Sequence, residues 1–323
     1  MRFGRHLLAA LTIATALLLL AGVAAGAPKG GGGGRRLTAR ERNILRLGST
    51  WMSRGTQRQL LRLKPGAFAF DFDGTLAGVH LGGKHADVGQ AFIEFMVRNK
   101  YFPKENRARM ERLWERFKAE GDPHKVLQKH SVGLMSRLYP EVAMNMSGLT
   151  TKQAEKIARE FVQKEVKPYI YRPMRKFVRA LKAAGFEPWI VTAGVPFWVV
   201  REVARELGLP PDHVIGPKTE VRTGKLTERY LFPDPIGSGK VTQIAQNVSV
   251  KLVGAAGDSG GDLAMLQAAP FRIAINPNKS LAKHARENGW PIERLDSVGL
   301  TEGDCIARAM SKSHGPPDKP RKR

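Results

Sequence analysis

Residues 68–76 read Phe-Ala-Phe-Asp-Phe-Asp-Gly-Thr-Leu, and this stretch decides the fold. Apolar residues closing on Gly74 and Thr75 predict a buried strand that feeds a tight turn. Asp71 and Asp73 are two apart, so on an extended chain they share one face. Ionised carboxylates at the end of a buried strand are costly unless something pairs or coordinates them. The first reading is therefore a cation-dependent chemical site.

Three further loops carry reactive residue types. Thr192-Ala193-Gly194 follows the apolar run 188–191. Gly237-Ser238-Gly239-Lys240 opens a helical stretch. Gly257-Asp258-Ser259-Gly260-Gly261-Asp262 follows the run 251–255. In open α/β sheets ligands bind beyond the carboxyl ends of the strands, where such loops meet. Thr192 alone reads as a turn or cap residue, and Asp262 also suits a helix amino-terminal cap. Gly-Ser-Gly-Lys is not a nucleotide P-loop, because Pro233 and Asp234 occupy the start of that pattern and Val241 follows Lys240.

The remaining pattern alternates apolar runs with helical segments. Strands are expected at 68–70, 188–191, 214–215, 251–255 and, last, 271–275. A hairpin is expected over 220–231 around Thr223-Gly224-Lys225. Helices are expected at 88–99, 107–119, 126–138 and 151–166, separated by Pro103, Pro123 and Pro140. Others should run from Pro173 to Ala184, from Pro196 to Gly208, and over 241–247 and 263–269. Strands alternating with helices predict an α/β fold, a Rossmann-like parallel sheet. The helical stretch after the first strand reads as an inserted cap.

The 323-residue chain has 42% apolar and 25% charged residues, which excludes a disordered protein. Its net charge of +24 is concentrated at the ends. Residues 1–65 carry twelve Lys/Arg against Glu41, and residues 311–323 carry five against Asp318, which leaves +9 on the body. Basic ends suit weak contact with an anionic membrane surface or nucleic acid, and a moderately basic body suits an anionic substrate.

Arg2, Arg5 and His6 precede an apolar stretch over 7–23, and Val23-Ala24-Ala25 offers small residues for cleavage. This predicts a signal peptide over 1–25 and an exported, periplasmic or secreted protein. The rival is an uncleaved membrane anchor, for which the stretch is short of the roughly 20 residues a span needs. The lone Cys305 can form no intramolecular disulfide. Residues 26–65 read as a Gly-rich linker and a basic helical segment, which is either packed on the body or laid on a membrane surface. Residues 311–323 read as a basic disordered tail.

With its four loops in order, Asp-Phe-Asp-Gly-Thr-Leu, Val-Thr-Ala-Gly, Lys240 and Gly-Asp-Ser-Gly-Gly-Asp, the chain resembles the haloacid dehalogenase superfamily. The likeness spans roughly 68–276, with the core at 66–76 and 169–310 and the cap at 77–168. The insertion is similar to the cap of the phosphoserine-phosphatase-like branch, and within it to phosphorylcholine-phosphatase-type enzymes. That resemblance implies a phosphomonoesterase acting through an aspartyl-phosphate. Asp71 would be the nucleophile and Asp73 the acid and base. Thr192 and Lys240 would be catalytic and would bind phosphate with Gly74, Thr75 and Ala193. Mg2+ would bind Asp71, Asp258 and the backbone carbonyl of Asp73, with Asp262 and Ser259 supporting that set.

The partner implied is a small phosphorylated metabolite, with no specific nucleic acid. The alternatives are a phosphomutase or phosphotransferase of the same superfamily, or a basic nucleic-acid- or membrane-binding protein. The resemblance disfavours phosphoserine, because the phosphoserine enzymes place a glutamate soon after the first motif, whereas residues 77–86 hold none and Asp87 is the first acid there. His80 and His85 read as loop histidines rather than a metal pair. Tyr101, Phe102, Trp114, Tyr169 and Tyr171 read as core, although a cage for a quaternary ammonium would use such residues. Trp198 reads as packing against the sheet.

Overall fold

The computed structural model describes residues 35–81, 84–86, 88–119 and 132–295. The expected signal segment 1–25, most of the Gly-rich linker, Asp87, Cys305 and the tail 311–323 lie outside the described residues, as do the side chains of His80 and His85. The described residues from Arg36 to Leu295 belong to one compact unit.

Two helices come first, α1 (Ala39–Gly48) and α2 (Arg54–Leu60). Thr38 and Glu41 close a reciprocal capping box at the start of α1. Next come β1 (Ala67–Phe70), the hairpin strands β2 (Val79–Leu81) and β3 (Lys84–Ala86), and helices α3 (Val88–Arg98), α4 (Lys104–Ala119), α5 (Val132–Asn145) and α6 (Thr151–Phe161). The chain returns through α7 (Arg172–Ala183), β4 (Glu187–Val191), α8 (Phe197–Leu207) and β5 (Val214–Ile215). The hairpin β6 (Thr219–Arg222) and β7 (Lys225–Tyr230) follows, then α9 (Ser238–Asn247), β8 (Leu252–Gly257), α10 (Leu263–Ala268), β9 (Phe271–Ile275), α11 (Lys279–Glu287) and β10 (Ile292–Glu293).

Six parallel strands form the main sheet in the order β10-β9-β8-β1-β4-β5. β1 is central because both its faces are apolar. Phe68 and Phe70 stack on each other on one face and meet Phe177 of α7 edge-on, while Ala67 and Ala69 join the opposite core with Ala255 and Val191. Gly254 makes room for this. A Cβ there would lie 2.4 Å from the Phe68 ring.

Two expectations need correction. The sheet does not end at β9, because β10 pairs with it through Ile292 and Glu293. Pro140 does not end a helix but lies inside α5, whose neighbours Tyr139, Val142, Ala143 and Met146 are buried. Packing of that face offsets the hydrogen bond that the proline removes. The basic segment 37–65 packs on the body, the first of the two readings given for it. Leu45 and Leu60 are fully buried, and Gly48 sits against Ala180 of α7. Each buried leucine contributes about 2 kcal/mol, enough to hold a short helix on the body.

The insert between β1 and β4 carries the unexpected β2–β3 hairpin, which pairs His80 with His85 along the backbone. Helix α6 passes into a wide turn at Val162–Val166 rather than continuing as one α-helix. The two connections to the sheet run side by side. Tyr171 N–H donates to Leu76 O at 2.9 Å, and Gly78 N–H to Tyr169 O at 3.2 Å. The β6–β7 hairpin adds a third tie. Gly148 N–H donates to Leu226 O at 3.0 Å, Leu226 N–H to Leu149 O at 2.9 Å, and Thr151 N–H to Gly224 O at 2.9 Å.

Candidate active site

The carboxyl ends of β1, β4 and β8 and the first turn of α9 meet at one point. Lys240, in the first turn of α9, is 2% exposed. Its ammonium donates to Asp71 Oδ1 at 2.6 Å, to Asp262 Oδ1 at 2.6 Å and to Val191 O at 2.8 Å. Three acceptors satisfy the three donors of a lysine, so the side chain is locked.

Asp262 is equally committed. Its second oxygen accepts from Asp258 N–H at 3.1 Å, Ser259 N–H at 3.0 Å and Ser259 Oγ at 3.2 Å. It therefore positions Lys240 and the loop after β8.

Asp71, Asp258 and Asp262 offer carboxylate oxygens that all lie within 4.8 Å of one another. One ammonium faces three carboxylates, an imbalance that a divalent cation would cancel. Asp71 and half-buried Asp258 are the members with oxygens to offer, since both oxygens of Asp262 are used. Burial, then repulsion by Asp262, pushes the Asp71 carboxyl up to about 7. Asp258 is raised well above its ordinary value by burial, then by Asp262 and Asp71. Burial works against the Lys240 ammonium, but Asp262 and Asp71 outweigh it and hold its pKa above the usual lysine value. Hard oxygen donors around an excess negative charge fit Mg2+.

Gly74 is required here on two counts. Its φ is +74°, and a Cβ would lie 2.4 Å from Asp258 Oδ2. Asp73 is not part of the carboxylate trio; its Oδ2 accepts from Val88 N–H at 2.8 Å, at the start of α3. Thr192 is buried, and its Oγ1 accepts from Gly194 N–H at 3.1 Å, in the turn that also holds Ala193. Thr75 is fully buried, and its hydroxyl has no hydrogen-bond partner.

The sequence reading missed several participants. Val191 contributes a carbonyl, which no side-chain pattern reveals. Asn278 N–H donates to Asp258 O at 2.9 Å, and Asn276 Nδ2 to Gly74 O at 3.5 Å, so the loop after β9 braces both aspartate loops. Tyr139 of α5 approaches the Thr192 loop, its hydroxyl 3.9 Å from where a Cβ on Gly194 would stand. An amide following a strand was the only available signal for the asparagines. Tyr139 had none.

The aromatic candidates are structural. Phe102 and Trp114 are buried in the insert, and the Tyr101 hydroxyl donates to Glu160 at 2.7 Å. Tyr171 is buried beside half-buried Tyr169 where the insert rejoins the sheet, and Trp198 is buried in α8.

The haloacid dehalogenase-like hydrolase family model matches residues 68–267, and the chain belongs to that family. It is similar to the histidinol-phosphatase of Neisseria meningitidis serogroup C (strain 8013), 27% identical over 143 residues that cover 42% of this chain and 63% of that protein. It is also similar to the phosphoserine phosphatase SerB1 of Mycobacterium tuberculosis (strain ATCC 25618 / H37Rv), 28% identical over 152 residues, 46% of this chain and 48% of that one. The chain thus spans less than two thirds of these curated relatives. Among solved structures, a protein of unknown function from Bordetella pertussis Tohama I superposes with a TM-score of 0.57 at 20% identity, covering 72% of this chain and all 100% of that one. That likeness concerns the fold.

Proposed function

We propose that this protein is a Mg2+-dependent phosphomonoesterase that hydrolyses a small organic phosphate through an aspartyl-phosphate. The observation that carries this reading is the buried Lys240, which ties Asp71 to Asp262 beside Asp258. A carboxylate cannot approach a dianionic phosphate unless positive charge offsets the repulsion. Lys240 supplies part of it from a fixed position.

Asp71 and Asp258, with the backbone carbonyl of Asp73, would hold the Mg2+. When bound, that ion polarises the phosphoryl oxygens and offsets their charge. Asp71 attacks phosphorus through a carboxylate oxygen and forms the acyl-phosphate bond. The bond from phosphorus to the leaving oxygen breaks, and that oxygen takes its proton from Asp73. Asp73 then removes a proton from water as that water attacks phosphorus, which regenerates Asp71 and releases inorganic phosphate. Throughout, the Lys240 ammonium offsets phosphoryl charge from the place that Asp71 and Asp262 give it, and the Thr192 hydroxyl donates to a phosphoryl oxygen.

The names of the relatives, a histidinol-phosphatase and a phosphoserine phosphatase, support phosphoester hydrolysis as the reaction class. The substrate we infer is a small phosphorylated metabolite met outside the cytoplasm, in keeping with the signal-like residues 1–25. The test is a phosphate-release screen over phosphorylcholine, phosphoethanolamine, phosphoserine, sugar phosphates and nucleotides, with Mg2+ and with chelator. Asp71→Asn should abolish release. Equal release by the variant and the parent across the panel would overturn the reading.

A further inference from the structure

Helix α1 meets α7 through a contact made of small residues. A Cβ on Gly48 would stand 2.3 Å from the Ala180 Cβ and 3.3 Å from the Lys176 carbonyl. Helix α2 is joined to the end of α1 by Gln57, whose amide donates to Arg46 O at 3.0 Å and Ser49 O at 3.1 Å. This close approach brings two cation-rich segments, far apart in the chain, onto one face.

Residues 35–64 hold nine Lys/Arg against Glu41 alone, and residues 172–183 hold five with no acid. Arg40, Arg46 and Arg54 are exposed on the first segment, and Arg172, Lys176 and Arg179 on the second. The latter three are spaced four and three apart, which lines them up on one side of α7. Elsewhere several described surface cations sit with acids, as in Arg98 with Glu165, Arg109 with Glu141, Lys164 with Glu160 and Arg229 with Glu220.

Leu47, directly after Arg46 in α1, is 65% exposed. An apolar side chain held out among cations is poorly placed in water and well placed at a headgroup boundary. Single-stranded nucleic acid would instead call for exposed aromatic platforms. The one aromatic on these two segments besides Phe177 is Trp51, which is half-buried and packs edge-on against Phe177 at 5.8 Å.

We propose that the α1–α2–α7 face docks on an anionic lipid bilayer, with its arginines and lysines over the headgroups and Leu47 at the acyl boundary. The proposal is independent of the catalytic reading. The site lies at the carboxyl ends of the strands, and none of these residues belongs to it.

The test uses the full chain in sedimentation with vesicles of phosphatidylcholine alone and of phosphatidylcholine mixed with phosphatidylglycerol. The quantity read is the ratio of the two partition coefficients. Any contribution from the apolar stretch 7–23 acts on both vesicle types and cancels in that ratio. The parent chain should prefer anionic vesicles by about tenfold or more at low salt, and lose the preference as salt rises. Lys176→Glu combined with Arg179→Glu, far from both termini, should cut the ratio by about tenfold while leaving the melting temperature unchanged. Leu47→Ser should weaken binding to anionic vesicles by a smaller factor. A ratio near one for the parent, or an unchanged ratio for the double variant, overturns the proposal. So does tight binding of short RNA that the double variant loses, with no vesicle preference; the face would then serve nucleic acid.

Discussion

The backbone N–H of Val88, where α3 begins, donates to Asp73 Oδ2 at 2.8 Å. The insert thus holds one of the two motif carboxylates of the sheet, and its first helix is bonded to the proposed acid. Val88→Pro removes that donor with little cost to the helix, because the first helical position tolerates proline. We expect kcat to fall by roughly tenfold or more with KM little changed, since Asp73 would lose its orientation. Val88→Ala, which keeps the N–H, should behave like the parent enzyme. Steady-state kinetics on both variants decides it.

Lys240→Met should be among the most damaging single substitutions in the chain. It leaves Asp71 and Asp262 buried without their shared ammonium, a loss of about 3–5 kcal/mol. Urea denaturation should show the drop in chelator, and Mg2+ should restore part of it without restoring phosphate release. Retained activity in this variant would contradict the role given to the lysine.

The stability of the metal-free protein should fall as pH rises. Asp71 is raised from 3.8 to about 7, and Asp258 also lies above its ordinary value. Groups raised on folding bind more protons in the folded chain than in the unfolded one. Their contribution is complete below pH 3.8 and is lost as pH passes through about 7. A cation that needs both carboxylates ionised reverses the trend. Melting temperatures in chelator should decline across this window, and Mg2+ should raise them far more at the alkaline end. An equal Mg2+ effect at both ends would argue against these two ligands.

Gly74→Ala should weaken Mg2+ binding more than it weakens the fold. The added methyl would stand 2.4 Å from Asp258 Oδ2 at a φ of +74°, so either the loop or the aspartate must shift. Titration of activity with Mg2+ should move to higher concentrations, with the circular dichroism spectrum unchanged.

Thr150→Ala removes a side chain that accepts from Gln153 N–H at 3.2 Å, at the start of α6 beside the β6–β7 hairpin. A lost helix cap costs about 1 kcal/mol. Because the same turn meets the hairpin, hydrogen exchange should quicken at Leu226 and Thr151 as well as in α6.

The parallel α/β core was legible because its strands are short apolar runs that end in glycine, aspartate or threonine. That pattern has few other physical readings. The four loops could be named in order for the same reason. The Pro140 helix, the β2–β3 hairpin and β10 could not, because packing rather than local preference decides each. The aromatic residues of the insert gave no warning of which one would reach the Thr192 loop. Tyr139 does so, and its neighbours in sequence look like ordinary helix.

The sequence by itself determined the parallel core and put Asp71, Asp73 and Asp258 in loops directly after apolar runs, where carboxylates are costly to bury unless something pairs or coordinates them. Only the tertiary structure decided how they divide. Asp262 accepts from Lys240 with one oxygen and from the loop after β8 with the other, Asp73 is bonded to the insert by Val88, and the basic segment 37–65 is packed on the body rather than laid outside it. These outcomes depend on which atoms come within hydrogen-bonding or packing distance, and the folded chain alone brings together pairs such as Asp73 with Val88, 15 residues apart, and Asp71 with Lys240, 169 apart.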